Sequence, residues 1–267
     1  MKLDETYPAV AIRDCVRCYQ QRRACISGAP VIFPIAARTE QFLEFYLKGR
    51  YLVRSVETGA SERAPRAVVV GPRTCPSLEL ILRDELEVFT IQFQPAGFFG
   101  LFRTPMRDLA DRAYEARSVI GPLASNLEQR LGEATSFLER TRIAEELLTS
   151  RLAEQGSPDP VSVVASRFLG KRGRLSVDEG AASAGLNVRQ FERRFALQVG
   201  LTPKPYARIV RFNAALEAKA VAPRRLWTDI AHELGYFDQM HLVRDFENFA
   251  GETPTAFARR LDARAWA

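Results

Sequence analysis

Apolar residues fall into two spacing regimes along the first half of this chain, and the second half repeats itself. From about Cys15 to Gln94 they come in short runs: Val31–Phe33, Tyr51–Val53, Ala67–Val70, Leu78–Leu82 and Val88–Phe93. Pro, Gly and charged residues separate the runs. Short strands at such intervals predict a β-sandwich or small barrel. From about Pro95 to Leu152 the spacing turns helical. Leu123, Leu127, Leu131, Ala134 and Leu138 step by four and three, which predicts one shared helix face. Ile143, Leu147, Leu148 and Leu152 continue a stripe after Thr141. Such a stripe serves either its own fold or a partner subunit.

The segment Glu154–Pro160 concentrates Gly, Ser and two Pro, and so predicts a break. Domains are expected over residues 1–155 and 156–267. Asp159 followed by Pro160 reads as an N-cap and a first helical position. Beyond the break, Phe191, Arg193, Phe195, Gly200, Thr202, Pro203 and Tyr206 recur 51 residues later. Their counterparts are Leu242, Arg244, Phe246, Gly251, Thr253, Pro254 and Phe257. Ala181 and Gly185 match Ala231 and Gly235 at an offset of 50. Two units are too few for a solenoid, so this is a duplicated supersecondary motif.

Each unit predicts helix, turn, helix. Ser176 and Glu179 form a capping box, and Gly185 ends the first helix of the unit. Asn187 caps the next helix with Gln190 at the reciprocal position. Phe191 and Phe195 face inward, leaving Arg189, Glu192 and Arg193 on other faces. In the second unit Ile230, Ala231 and Leu234 are the apolar face, Gly235 is the stop and Asp238 the N-cap. Leu242 and Phe246 turn inward, leaving Gln239, Met240, Val243 and Arg244 outside. Thr202-Pro203 opens a connecting helix through Leu216, and Thr253-Pro254 a last one through Phe257 and Leu261.

Charge sharpens the reading. The net charge is +6, yet residues from Pro158 onward hold 17 basic and 12 acidic side chains, against 21 and 20 before them. The excess suits a polyanion on the C-terminal part, or solubility alone. No run approaches the roughly 20 apolar residues of a membrane span, nor does the N-terminus read as a signal peptide. A cytoplasmic, nucleoid-associated protein with no membrane partner is expected. Cys15 and Cys18 form one C-x-x-C pair without a second, a weak zinc signal. Read as a strand, that segment would put the two on opposite faces. Only His232 and His241 are present, both far from these cysteines. No Ser/His/Asp set, phosphate loop or metal cluster is visible, so no enzyme, cofactor or metal is expected. A reactive cysteine is the one opening for an enzyme fused to a DNA-binding module.

The string Ile230–Phe246 followed by Gly251-Glu-Thr-Pro254, with Asn187–Phe195 followed by Gly200-Leu-Thr-Pro203, resembles the AraC/XylS family of bacterial transcription regulators. The likeness covers about Pro160 to Leu261. Met240-His241 departs from the family, which often has small polar residues there. The resemblance implies an α+β protein: a β-rich, cupin-like (jelly-roll or barrel) N-terminal domain with trailing helices, then an all-α domain with two helix-turn-helix motifs. Val70-Gly-Pro72 and Phe93–Gly97 fit a branch of the same family. Seven C-terminal helices are implied, the third and sixth entering successive major grooves. Base readers would be Arg189, Glu192 and Arg193, then Gln239, Met240, Val243 and Arg244. Lys171, Arg172, Arg174, Lys204 and His241 would touch phosphate. Double-stranded DNA, a second copy in a homodimer, a small-molecule effector and, for an activator, RNA polymerase are the implied partners. An N-terminal domain that only dimerises is the constitutive alternative. Lacking His, it fits no metal cupin. Phe33, Phe42, Phe45, Tyr46, Phe89, Phe93, Phe98, Phe99 and Phe102 either line an effector pocket or fill the core.

Overall fold

A computed structural model describes residues 2–155 and 159–265 of the chain. Residues 156–158, the middle of the expected break, lie outside the described residues, as does the side chain of Leu261.

The N-terminal part is β-rich. Its strands are β1 (Lys2–Thr6), β2 (Val16–Cys25), β3 (Val31–Ile35), β4 (Phe42–Lys48), β5 (Leu52–Ser55), β6 (Ser61–Arg63), β7 (Ala67–Val70), β8 (Leu78–Leu82), β9 (Glu85–Phe93) and β10 (Ala113–Glu115). They form a six-stranded sheet ordered β1-β2-β9-β4-β7-β10 and a four-stranded sheet ordered β3-β8-β5-β6. Every pairing among them is antiparallel. The predicted apolar runs fall on strands, except that Tyr51 lies just before β5. β1, β4, β6 and β10 carry no such run in the prediction, because their sequences are charged, short or mixed.

The central strands of the larger sheet are apolar on both sides. Alternate residues point to opposite faces. Leu43, Phe45, Val69, Phe89, Ile91 and Phe93 face one way, Tyr46, Val68, Val70, Leu86 and Val88 the other. The first face is covered by helices α1 (Gly97–Phe102), α2 (Ala116–Ile120), α3 (Pro122–Glu133) and α4 (Phe137–Ala153). The second is covered by the smaller sheet, through Phe33, Val53, Leu80 and Leu82. Phe45, Phe89, Phe93 and Phe98 are therefore core beneath the helices, while Tyr46 borders the space between the sheets.

The helical stripe is broken where one helix was expected. α3 ends at Glu133, Ala134 is its C-cap, and Ser136 starts α4 by accepting from the Glu139 amide at 3.2 Å. Leu138 consequently leaves the predicted face and stands 77% exposed. Arg140 fixes the corner. It is buried, and it donates to the carbonyls of Leu131 (3.1 Å) and Ala134 (2.7 Å). It also reaches Gln21 Oε1 at 3.0 Å and Glu87 Oε1 at 3.3 Å on the sheet. One cation thus satisfies orphan carbonyls at a helix end and ties that corner to β2 and β9.

Cys15 and Cys18 are both buried because both faces of the sheet are covered: Cys15 packs in the core beneath the helices, while Cys18 Sγ donates at 3.2 Å to Gln92 Oε1, on the side away from Ile91 and Phe93. The strand begins only at Val16, and its register with β9 shifts between Val16 and Cys18. Such an irregularity re-aims side chains. Burial, followed by the nearby acid (Asp14 for Cys15, Glu5 for Cys18), pushes both thiols up to about 11.

Seven helices follow residue 158: α5 (Pro160–Gly170), α6 (Val177–Ser183), α7 (Val188–Val199), α8 (Pro203–Val221), α9 (Trp227–Glu233), α10 (Gln239–Ala250) and α11 (Pro254–Ala265). They share one core that includes Phe168, Phe191, Phe195, Tyr206, Phe212 and Phe246.

Two outcomes follow. Arg140→Met should cost about 3–5 kcal/mol, since it strands the Leu131 and Ala134 carbonyls and removes a cation from the half-buried Glu87; a urea midpoint equal to wild type would refute the corner assignment. At pH 8 iodoacetamide should modify exposed Cys25 well before Cys15 or Cys18. Rapid modification of either buried thiol would reopen cysteine chemistry.

Candidate nucleic-acid interface

Local caps set both units as the sequence predicts. Asp159 Oδ1 accepts from the Val161 amide at 2.9 Å and starts α5. In the capping box of α6, Ser176 Oγ accepts from the Glu179 amide (3.2 Å) and Glu179 Oε2 from the Ser176 amide (2.9 Å). Those bonds also hold the Glu179 carboxyl below its ordinary pKa. Asn187 Oδ1 accepts from the Gln190 amide at 2.9 Å, and Asp238 Oδ1 from the His241 amide at 2.7 Å. The reciprocal bond expected from the Gln190 side chain does not form among the described residues.

The third and sixth C-terminal helices, α7 and α10, each bury an inward pair and leave their N-terminal turns open. Phe191, Phe195, Leu242 and Phe246 are fully buried. Arg189, Arg193, Gln239, Met240 and Arg244 are exposed; Glu192, Val243 and His241 are half-buried. Glu192 pairs with neither Arg189 nor Arg193 among the described residues. Lys171, Arg172, Arg174 and Lys204 are exposed too. Arg172, however, is bound to Glu233 Oε1 at 3.1 Å. A residue the sequence reading passed over is Phe237, 94% exposed directly before the cap of α10. Its signal was an aromatic between a turn glycine and an N-cap, where nothing local can bury it.

Buried charge links the two units. Asp245 on α10 has no exposure and accepts from Arg208 on α8, Nη2 at 2.6 Å and Nε at 3.2 Å. Arg211 lies over the Tyr236 ring at 5.3 Å and donates to the Gly173 carbonyl at 3.0 Å. Arg194 of α7 pairs with Asp159 at the start of α5. Arg208 and Arg211 thereby pin α8 to α10 and to the turns at Gly173 and Tyr236, and Tyr206 packs against Phe195 of α7 with ring centroids 5.3 Å apart, so α8 spaces the two helices.

The opposite, C-terminal ends of α7 and α10 rest on the β-rich part. Gln41 Nε2 donates to the Val199 carbonyl at 3.0 Å, and the Ala37 amide to the Phe249 carbonyl at 2.7 Å. Carbonyls in a last helical turn lack partners within the helix, so these bonds satisfy groups that would otherwise be orphaned. The cap glycines meet the same surface. A Cβ on Gly200 would lie 2.7 Å from Pro72 Cγ, and one on Gly251 would lie 3.3 Å from Pro76 Cγ. Both glycines are left-handed, at φ 95° and 74°.

Gly200→Ala should therefore destabilise the chain by about 1–3 kcal/mol, combining left-handed strain with the Pro72 clash. Gly251→Ala, with a looser neighbour, should lose less. Equal urea midpoints for the two variants would contradict the difference in contact.

Residues 181–260 match the helix-turn-helix domain family. No curated protein matches the chain. Among solved structures, ToxT from Vibrio cholerae O395 aligns at 9% identity with a TM-score of 0.46, covering 90% of this chain and 96% of that one. The AraC-like transcriptional activator CuxR aligns at 11% identity with a TM-score of 0.23, covering 99% and 87%. The family match spans both α6–α7 and α9–α10, the two units whose caps and cores are described above, and residues 181–260 are similar to a helix-turn-helix domain.

Proposed function

We propose that this protein is a sequence-specific transcription regulator that places α7 and α10 in successive major grooves on one side of a DNA duplex. The observation that carries the reading is the duplication itself. Two helices with matching caps and matching inward pairs present unpaired polar side chains, and α8 holds them at a fixed separation. Two grooves on one face require a spacing of about 34 Å, one turn of B-DNA.

Arg189 and Arg193 read guanine from the first unit, since a guanidinium fork matches O6 and N7. Glu192, which pairs with neither Arg189 nor Arg193 among the described residues, accepts from cytosine N4. Gln239 reads adenine, and Arg244 guanine, from the second unit. Met240 and Val243 supply apolar contact to thymine methyl groups, and Phe237 extends that apolar surface. Lys171, Arg174, Lys204 and His241 position the protein on phosphate without reading sequence. Arg172 ranks behind them in that role because Glu233 already holds it.

The division at residues 155/156 separates a sensing and pairing domain from the DNA-binding domain. The protein acts in the cytoplasm, associated with the nucleoid, as a homodimer; an activator would also meet RNA polymerase. The reading needs no catalytic step. Among the described residues no helix is long and apolar enough to cross a membrane, and no group of His, Cys, Asp and Glu is placed to hold a metal.

DNA selection on the full-length protein, read by sequencing, should enrich two short blocks one helical turn apart. Arg193→Ala should relax preference at one block and Arg244→Ala at the other, each by about 1–3 kcal/mol, roughly five- to 150-fold. Weak binding that ignores sequence and vanishes with added salt would mean phosphate contact only, and would refute the assignment.

A further inference from the structure

Between the two sheets lies a cavity of about 740 Å³, within the range that holds small organic ligands. Val53, Val68, Val70 and Leu80 give it apolar walls, with Tyr46 and Tyr51 at one side. Its charge is unbalanced. Arg22 is matched: its Nη2 sits 2.5 Å from Glu44 Oε1, whose other oxygen accepts from Tyr46 at 3.2 Å. The Asp111 carboxylate is taken by the Thr74 amide (2.6 Å) and hydroxyl (2.7 Å).

Arg38 and Arg73 have no such match. Neither forms an ion pair among the described residues. Arg73 is 3% exposed and donates only to neutral groups, Ser77 Oγ at 3.0 Å and the Asp111 carbonyl at 3.2 Å. The Arg38 guanidinium has only the Phe42 ring, 4.9 Å away, and its enclosed Nε has no acceptor. Burial lowers the pKa of both, yet guanidinium stays protonated in any accessible range. Glu44 and Glu40 near Arg38 and Asp111 near Arg73 offset part of the cost of burial, but none forms an ion pair with either guanidinium among the described residues, and a bound anion would supply one.

The same two residues join the surfaces that hold the DNA-reading helices. Arg38 and Arg73 form an isolated backbone bridge, each amide donating to the other's carbonyl at 2.8 Å. On one side of the bridge, Ala37 and Gln41 bind the last turns of α10 and α7. On the other, Pro72 and Pro76 abut the cap glycines of α7 and α10. Each loop thus touches both helices.

We propose that the inter-sheet cavity binds a small organic anion with an apolar body, its charged head between Arg38 and Arg73, and that occupancy adjusts the two bridged loops on which α7 and α10 rest. This deepens the regulator reading by naming the ligand class and the route, and it rests on that reading only for its consequence at DNA.

The test uses thermal unfolding of the full-length protein without DNA, with benzoate, 4-phenylbutyrate and phenyl phosphate as probes. Benzamide and 4-phenylbutyramide are the neutral matches. At a hundredfold excess over Kd, at least one anion should raise Tm by roughly 5–10 °C, saturably, and its neutral match by less. A carboxylate or the phosphate responding alone identifies the head group. The rise should disappear in Arg38→Met and in Arg73→Met. Arg38→Met removes a half-buried cation that has no ion pair among the described residues, so it should still fold; Arg73→Met is the independent second variant. Amide exchange at Ala37 should slow several-fold with the stabilising anion. No stabilisation by any of the three anions, or a rise that survives in both variants, overturns the site; unchanged exchange at Ala37 overturns the route. Arginine-dependent stabilisation together with a failed DNA selection would sink the regulator reading and leave the anion site standing.

Discussion

Strands β4, β7 and β9 send apolar side chains to both sides of the six-stranded sheet, and each side has to be covered. Helices α1 to α4 close one face with a dense aromatic and leucine core. The smaller sheet closes the other, but less completely, and polar residues enter the gap: Arg22, Glu44, Arg38 and Arg73. The cavity follows from that asymmetry. A strand such as Ala67–Val70, buried at every position, is the local record of a sheet with no solvent face.

The second consequence concerns the helix-turn-helix part. Its two units build a continuous core of their own around Phe168, Phe195, Tyr206, Phe212 and Phe246, so the caps and the inward pairs suffice to shape it. What they leave undone is the C-terminal turn of each recognition helix. Carbonyls at Val199 and Phe249 are completed by donors from the β-rich part. A helix end that borrows its hydrogen bonds from another region is sensitive to that region's position. The N-terminal turns, which carry the exposed polar residues, stay clear of the contact. The contact with the β-rich part and the proposed base-reading residues therefore lie at opposite ends of the same helices, and one can influence the other without competing for surface.

Much of this was legible in the sequence, for a definite reason. Capping, left-handed turns and inward spacing are short-range: Ser176 with Glu179, Asn187 with the Gln190 amide, Gly185 and Gly235, Phe191 with Phe195 all act within a few residues. Duplication at 50–51 residues made the pattern unmistakable, and the exposed sets on α7 and α10 could be named from helical spacing alone. Long-range effects were not legible. β4 mixes Glu44 and Lys48 with aromatics because its faces meet different neighbours. The helix break at Ala134 is held by Arg140, whose partners Gln21 and Glu87 lie 119 and 53 residues away. The shift in register between β2 and β9 at Val16 and Cys18 is likewise announced by no local pattern.

The sequence by itself thus determined the all-α, two-unit C-terminal part, its caps and its candidate reading residues, since each depends on contacts within a turn or two of helix. Only the tertiary structure decided which aromatics are core, where the cavity lies and that two arginines face it without an ion pair among the described residues. It alone brought Ala37, Gln41, Pro72 and Pro76 to the ends of α7 and α10. Those outcomes require segments far apart in the chain to meet, and a chain's periodicity records which face a residue takes, not what it will find there.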